Sequence, residues 1–451
     1  MSAVEARPAP LTRPAPALPG YRFELLKLTA QWRTRLLLLV CWVGPGAFVA
    51  AISRQSTLPT DTVFGRWMGQ TGWAGPLVVL SFCCSWFLPL LTSLVAGDVF
   101  AAEDRLGTWR HLLTSVGSPR RIFVTKALAA LTVLLVLVAG LALSSTAGGL
   151  LAVGSHPLVG LDGHLLSPGR AALTVLLAWA AALAPTLAFA AVGLLGSVAF
   201  GRSPVGLLLP ALLALVLQLV QLLPVPAVVR VALPGYAFTA WRGLSTAPAR
   251  TAPLLLGVLV SLAWTVVATA LARRLFLRRD FTGPGHDGSP RLVLGHAVLP
   301  LAGLLALTVG VVAAATPVSG SGVDREKLQT SLATAYAHLY RLQARELSRP
   351  DVTEAQLRTD ATCDKGGDRV EDTGPGNDWR CVVTWHIPGA TAVGSAIYQL
   401  DVTADGRYVA DGDGPQEVNG FFPVQAATGQ APNPLWQFDG SVDLLTATTR
   451  G

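Results

Sequence analysis

The sequence predicts a mainly α, polytopic helical membrane protein of about seven spans with a small α+β extracellular C-terminal domain. Three observations carry this. Of 451 residues, 51% are apolar and only 14% charged, and the mean hydropathy is +0.50. Seven windows approach the roughly 20 apolar residues that a helix needs to cross a bilayer core. Residues 317–451 lose that character, and there 18 acidic side chains outweigh 11 basic ones.

Residues 1–20 are Pro/Ala-rich and are expected to be a disordered tail, with no early apolar core to suggest a secretory leader. Tyr21, Leu25, Leu28, Trp32 and Leu36 then recur at helical spacing, with Arg22, Glu24, Lys27, Gln31 and Arg35 on the other faces. This predicts an interfacial helix on the inner leaflet, either a simple anchor or a mechanical part.

The seven windows are Leu36–Ile52, Pro76–Val95, Ala127–Val153, Ala171–Ala199, Val205–Leu223, Pro253–Leu271 and Leu292–Ala315. The third and fourth exceed the bilayer thickness and must tilt or bend, and Pro185 and Gly193 are candidate bends. Leu223–Arg250 is too apolar for a free loop and too rich in Pro and Gly for a span. It predicts short helices that dip into the outer leaflet or cap the spans there, with Tyr236, Phe238 and Trp241 at the interface.

Orientation follows from Lys and Arg in the short loops. The segments on the N-terminal side of the membrane hold 17 such residues and the alternate loops hold 6. The N-terminus is therefore expected in the cytoplasm of a cell-membrane protein, and seven spans place the tail outside. The basic excess anchors the chain to anionic lipid and implies no nucleic acid.

Cys41, Cys83 and Cys84 fall in spans and read as packing residues. Cys363 and Cys381 fall in the tail, where an oxidising compartment favours a bridge. A bridge closing a loop near this length contributes about 3 kcal/mol by restricting the unfolded chain. In the tail, Asp324–Leu347 predicts a helix with an apolar stripe of Leu328, Leu332, Ala335, Leu339 and Leu342. Arg380–His386, Ala396–Thr403 and Arg407–Ala410 read as strands, and Asp405-Gly406 as a hairpin turn. The DGDG run at Asp411–Gly414 reads as a polar turn rather than a calcium loop.

Chemistry-bearing motifs are sparse. None of the four lysines follows a phosphate-loop pattern, and H-E-x-x-H and G-x-S-x-G are missing. No enzyme and no cofactor or metal on this chain is expected. His156 and His164 read as an ordinary polar loop rather than a metal pair. Gln218 and Gln221, three apart on the fifth span, are candidate intramembrane polar contacts, more often to a neighbouring helix than to a ligand.

What remains is the loop Ala96–Lys126. Leu106, Trp109, Leu112 and Leu113 form a short apolar face flanked by Glu103, Asp104, Arg105 and Arg110. Gly117-Ser118-Pro119 stops the helix before Arg120, Arg121 and Lys126. The positive-inside rule explains the basic residues but not an amphipathic helix with an acidic start.

Here the chain resembles the membrane subunits of ABC type 2 exporters. The pattern is Glu103, Gly107-Thr108, Leu112-Leu113, Ser118-Pro119-Arg120 and Lys126, and the resemblance covers roughly residues 20–275. It implies a permease that pairs with a second permease, as a homodimer or otherwise, and works with a separate ATPase chain that holds ATP and Mg. It further implies that the ATPase docks through the interfacial helix (Leu25, Leu28, Trp32) and through Glu103, Gly107, Thr108, Trp109, Leu112, Leu113, Arg120 and Lys126. The chain departs from the family in its linker and seventh span, residues 276–316, and in its external domain, residues 317–451. The alternative expectation is a non-transporting multi-pass anchor for an extracellular sensor or interaction domain.

Overall fold

A computed structural model describes residues 18–55, 68–116, 118–201, 204–223, 225–279, 281, 291, 295, 298–316, 320–367, 370–412, 423–426 and 429–445. The expected N-terminal tail lies almost wholly outside these residues.

Apolar side chains in long helices dominate the first part of the chain. Five described helices are long and apolar enough to cross a membrane. They are α2 (Trp32–Ser53), α3 (Ala74–Val95), α6 (Pro119–Ala152), α7 (Pro168–Phe200) and α11 (Ala252–Arg278). Their outward faces stay oily: Leu255, Leu259 and Val266 share one exposed face of α11, and Leu173 and Leu176 are exposed on α7. Water does not tolerate such a band, whereas lipid does.

The expected count of seven spans is not reached by these helices. Val205–Leu223 gives α8 (Pro204–Leu222), but several of its side chains lie outside the described residues, those of Gln218 and Gln221 among them. Within Leu292–Ala315 the described helix is α12 (Leu299–Ala315, 17 residues), and most of the window before it lies outside the described residues. Neither Pro185 nor Gly193 breaks α7, which runs through both for 33 residues. The irregularity falls elsewhere, in a π-turn at Cys83–Phe87 within α3.

Small residues let the helices touch. A Cβ on Gly148 of α6 would collide with the Gly46 backbone of α2, so these two helices meet main chain to main chain. The segment between α8 and α11 does fold into short pieces: α9 (Ala227–Val231), α10 (Ala237–Ala240) and a 3₁₀ turn, Trp241–Ser245. Its aromatics do not lie at a lipid interface. Tyr236, Phe238 and Trp241 are buried, because the segment caps the bundle and turns its rings inward.

The helices alternate in direction, which separates two ends of the bundle. One end carries α1 (Leu18–Ala30), α4 (Ala101–Leu106) and α5 (Trp109–Val116). The opposite end carries α9, α10, the small hairpin β1 (Leu158–Val159) and β2 (Leu165–Leu166), and the C-terminal domain. In that domain, α13 (Arg325–Glu346) packs on a five-stranded antiparallel sheet. The strand order is β3 (Asp360–Lys365), β4 (Gly376–His386), β5 (Val393–Val402), β6 (Arg407–Gly412), β9 (Gln437–Ser441). A separate two-stranded ribbon joins β7 (Pro423–Ala426) and β8 (Gly429–Pro432). Cys363 and Cys381 sit opposite each other on β3 and β4 and form a disulfide.

The domain docks on the bundle through polar contacts. Arg250 Nη1 donates to the Ser441 carbonyl at 2.7 Å, and the Ala227 amide to the Gly320 carbonyl at 2.9 Å. His338 Nδ1 lies 2.9 Å from the Asp162 carbonyl in the β1–β2 hairpin.

Candidate coupling surface

The loop after α3 is built around three buried carboxylates. In residues 1–316 only nine acidic residues occur, and Glu24, Asp98, Glu103 and Asp104 all converge here. Each finds cations on a different helix. Asp98 pairs with Arg33 of α2 and with Arg105. Glu103 accepts from Lys27 of α1 and, at 2.7 Å, from Lys126 of α6. Lys126 also reaches Glu24 of α1 at 2.9 Å. Asp104 takes a forked pair from Arg279, just past α11, at 2.7 and 3.0 Å, and a bond from the Trp109 indole at 2.7 Å. Such charge-assisted, bidentate bonds fix orientation as well as energy.

Local chemistry sets the path of the chain between these anchors. Ser197 of α7 accepts from the Phe100 and Ala101 amides at 3.1 and 2.9 Å and so caps the start of α4. Gly107 ends α4 with φ of +65°, a left-handed conformation that favours glycine. Thr108 then turns its hydroxyl back onto Glu103. Phe100, Trp109, Phe123 and Phe276 pack together beneath, and Arg279 lies over the Trp109 ring at 5.9 Å.

Burial should raise the carboxyl pKa of Glu103, since it disfavours the charged form. Lys126, Lys27 and Thr108 more than reverse this and hold it at about 2. The group is therefore ionised at any physiological pH.

The structure sorts the residues that the sequence singled out. Glu103 and Lys126 are 1% exposed, and their ion pairs tie helices together. Trp109 is buried too. Leu112 and Leu113 are half-buried and pack with Leu25 and Leu28 against the bundle core. The stripe on α1 likewise faces the bundle, and Tyr21 bonds Thr132 of α6 at 2.8 Å. Trp32 belongs to α2, beyond a break at Gln31, and is 74% exposed. Gly107 and Arg120 are exposed, and Thr108 is half-buried. Sequence reasoning read the apolar face as the free one, but the outward face of α5 is Arg110, His111, Thr114 and Ser115. On α1 the outward apolar residues are Phe23 and Leu26.

Between α1 and α5 lies an open groove of about 730 Å³. Phe23, Lys27, His111, Leu112 and Ser115 line it, with Glu103 at its floor. The roles of Glu24, Asp98, Asp104 and Arg279 were not assigned from the sequence. The crowding of scarce acids near one loop is the signal that could have marked the three carboxylates, and nothing local marks Arg279.

Elsewhere, His164 lies beside Asp162 at 3.5 Å and near His338. Among the described residues no group of three or more His, Cys, Asp or Glu is placed to hold a metal. No family model matches the chain, and a search of curated proteins finds no match to it.

Proposed function

We propose that this chain is the permease subunit of an ATP-driven ABC type 2 exporter, paired with a second permease and powered by a separate ATPase. One observation carries the reading. A short helix with a polar outward face stands at one end of the bundle, and its base is wired by buried carboxylates to α1, α2, α6 and α11. A push on α5 would reach four helices through ion pairs rather than dissipate in a loop. ATP and Mg would be held by the partner chain. The positive-inside bias puts this end in the cytoplasm and the disulfide-bonded domain outside.

The test is co-purification with the cognate ATPase, followed by ATP hydrolysis in lipid. Because Leu112 and Leu113 are half-buried and pack against the bundle core, the informative change is His111→Glu with Ser115→Glu. Both positions are exposed, so insertion and melting should match wild type. Docking would have to desolvate two carboxylates, at a cost of several kcal/mol if they stay unpaired. Loss of co-purification by at least about tenfold is expected, and unchanged binding sinks the docking surface.

A second reading is a membrane anchor for the folded C-terminal domain, which has a core of its own docked on the bundle. It becomes the better one if wild type retains no ATPase.

Topology is checked separately. A tag at Ser115 should be reached only after the membrane is opened, and a tag at Asp401 should be reached from outside. A protected Asp401 in intact cells removes the external domain.

A further inference from the structure

A cavity of about 270 Å³ lies where the C-terminal domain meets the bundle. Its described lining comes from four helices or segments and from the β5–β6 turn. Ser81, Ser85 and Pro89 come from α3, and Phe189 from α7. Phe238 and Arg242 come from the capping segment, and Asp405 and Arg407 from the turn. Ser85 is eleven residues into α3, so the cavity reaches about 16 Å down that helix. It therefore runs from the bundle end toward mid-span.

Three features make this more than a packing gap. The π-turn Cys83–Phe87 falls on its wall, and such turns in otherwise regular helices concentrate at functional sites. The wall is amphipathic: Phe189, Phe238 and Pro89 are apolar, while Ser81, Ser85 and Thr239 add hydroxyls. Each of those hydroxyls donates to a backbone carbonyl of its own helix. Two guanidiniums, Arg242 and Arg407, and one carboxylate, Asp405, form the charged part of the wall, with Asp439 near enough to act on Arg242 from outside it.

Asp405 is delivered by the turn. Thr403 and the Arg407 amide hold Oδ1, while Oδ2 accepts from Arg242 Nη1 at 3.0 Å. The pair is about three-quarters buried on both sides. The hairpin thus sets an anion against Arg242 in a cavity lined by two guanidiniums and by apolar rings.

We propose that this cavity binds an amphipathic anion, and that Asp405 occupies the place of the ligand's anionic group until the ligand displaces it. The shared chemistry is one acyl or aromatic body and one carboxylate or phosphate head. Binding needs no ATPase, so its test and the co-purification test fail separately.

The experiment uses full-length protein in phosphatidylcholine nanodiscs, with decanoate, decanol and decyltrimethylammonium as probes and empty nanodiscs as the partition control. Decanoate should saturate, and the neutral and cationic probes should not. Asp405→Asn removes the internal competitor and should tighten decanoate about two- to fivefold. Arg242→Gln should weaken it about tenfold or more. Ser85→Phe fills the cavity away from the ion pair and should abolish binding. The contacts at Arg250, Ala227 and His338 keep the domain seated in all three variants, and a melting curve of each verifies this. Asp405→Glu, which retains the charge, should bind as wild type does. Adding phosphatidylglycerol to the disc separates the sources: competition with decanoate identifies a lipid headgroup, and its lack a soluble amphiphile. Decanol binding as tightly as decanoate, or a folded Asp405→Asn protein with unchanged or weaker affinity, overturns the proposal.

Discussion

Replacing Glu103 by Gln should destabilise the loop end of the bundle by roughly 3–5 kcal/mol, the usual cost of breaking a buried ion pair from one side. Lys126, 1% exposed, would keep Glu24 as its charged partner, Lys27 would lose its counter-charge, and one of the two oxygens that serve the lysines and Thr108 would become an NH2 that cannot accept. The same group predicts a pH dependence. Its pKa falls from the ordinary 4.5 to about 2 on folding. A depressed carboxylate pKa contributes stability that is complete above the unfolded value and fades as pH drops through the folded one. The contribution, roughly 3 kcal/mol at neutral pH, should therefore fade between pH 4.5 and about 2. Thermal melts of nanodisc-held protein from pH 7 down to 3 should show this for wild type and a shallower slope for Glu103→Gln. Arg110→Ala, at an exposed position, should stay within about 0.5 kcal/mol. A Glu103→Gln protein that melts like Arg110→Ala would mean that the ion pairs are ornaments and that α5 is not rigidly tied to α6.

Opening the Cys363–Cys381 bridge should cost the C-terminal domain about 2–5 kcal/mol. Both cysteines are fully buried and lie opposite one another on neighbouring strands, separated by 18 positions in sequence. Limited proteolysis of Cys363→Ser should cut within β3–β4 much faster than in wild type, while the membrane helices stay resistant. The helices have a core distinct from that of the domain, so damage in one should not spread to the other. Non-reduced peptide mapping provides the companion measurement. Two free thiols in protein taken from its membrane would contradict both the bridge and an oxidising location.

Much of the fold was legible because its signals are local. A run such as Leu128–Leu137 declares a lipid-crossing helix by composition alone. Asp405-Gly406 declares its hairpin because the turn places Gly406 at φ +82°, and there the structure has a turn between β5 and β6. Strands β3 and β9 were missed. Their alternating burial mixes acids and amides with the inward residues, as in DATCDK, so propensity alone does not raise them above loop.

By itself, the sequence determined the membrane class, the helical loop with its acidic start and the paired tail cysteines. Each rests on a periodicity, a composition or a backbone requirement that neighbouring residues carry among themselves. Only the tertiary structure decided which way the loop faces. Leu112 and Leu113 look like a docking surface in one dimension, yet they are half-buried against the bundle, because α1 and α6 offer apolar surface on that side and burying it is favourable. It also decided that Glu103, Asp98 and Asp104 are inward anchors. Their cations, Lys126, Arg33 and Arg279, lie 23, 65 and 175 positions away, and no local pattern encodes a charge pair closed over such distances.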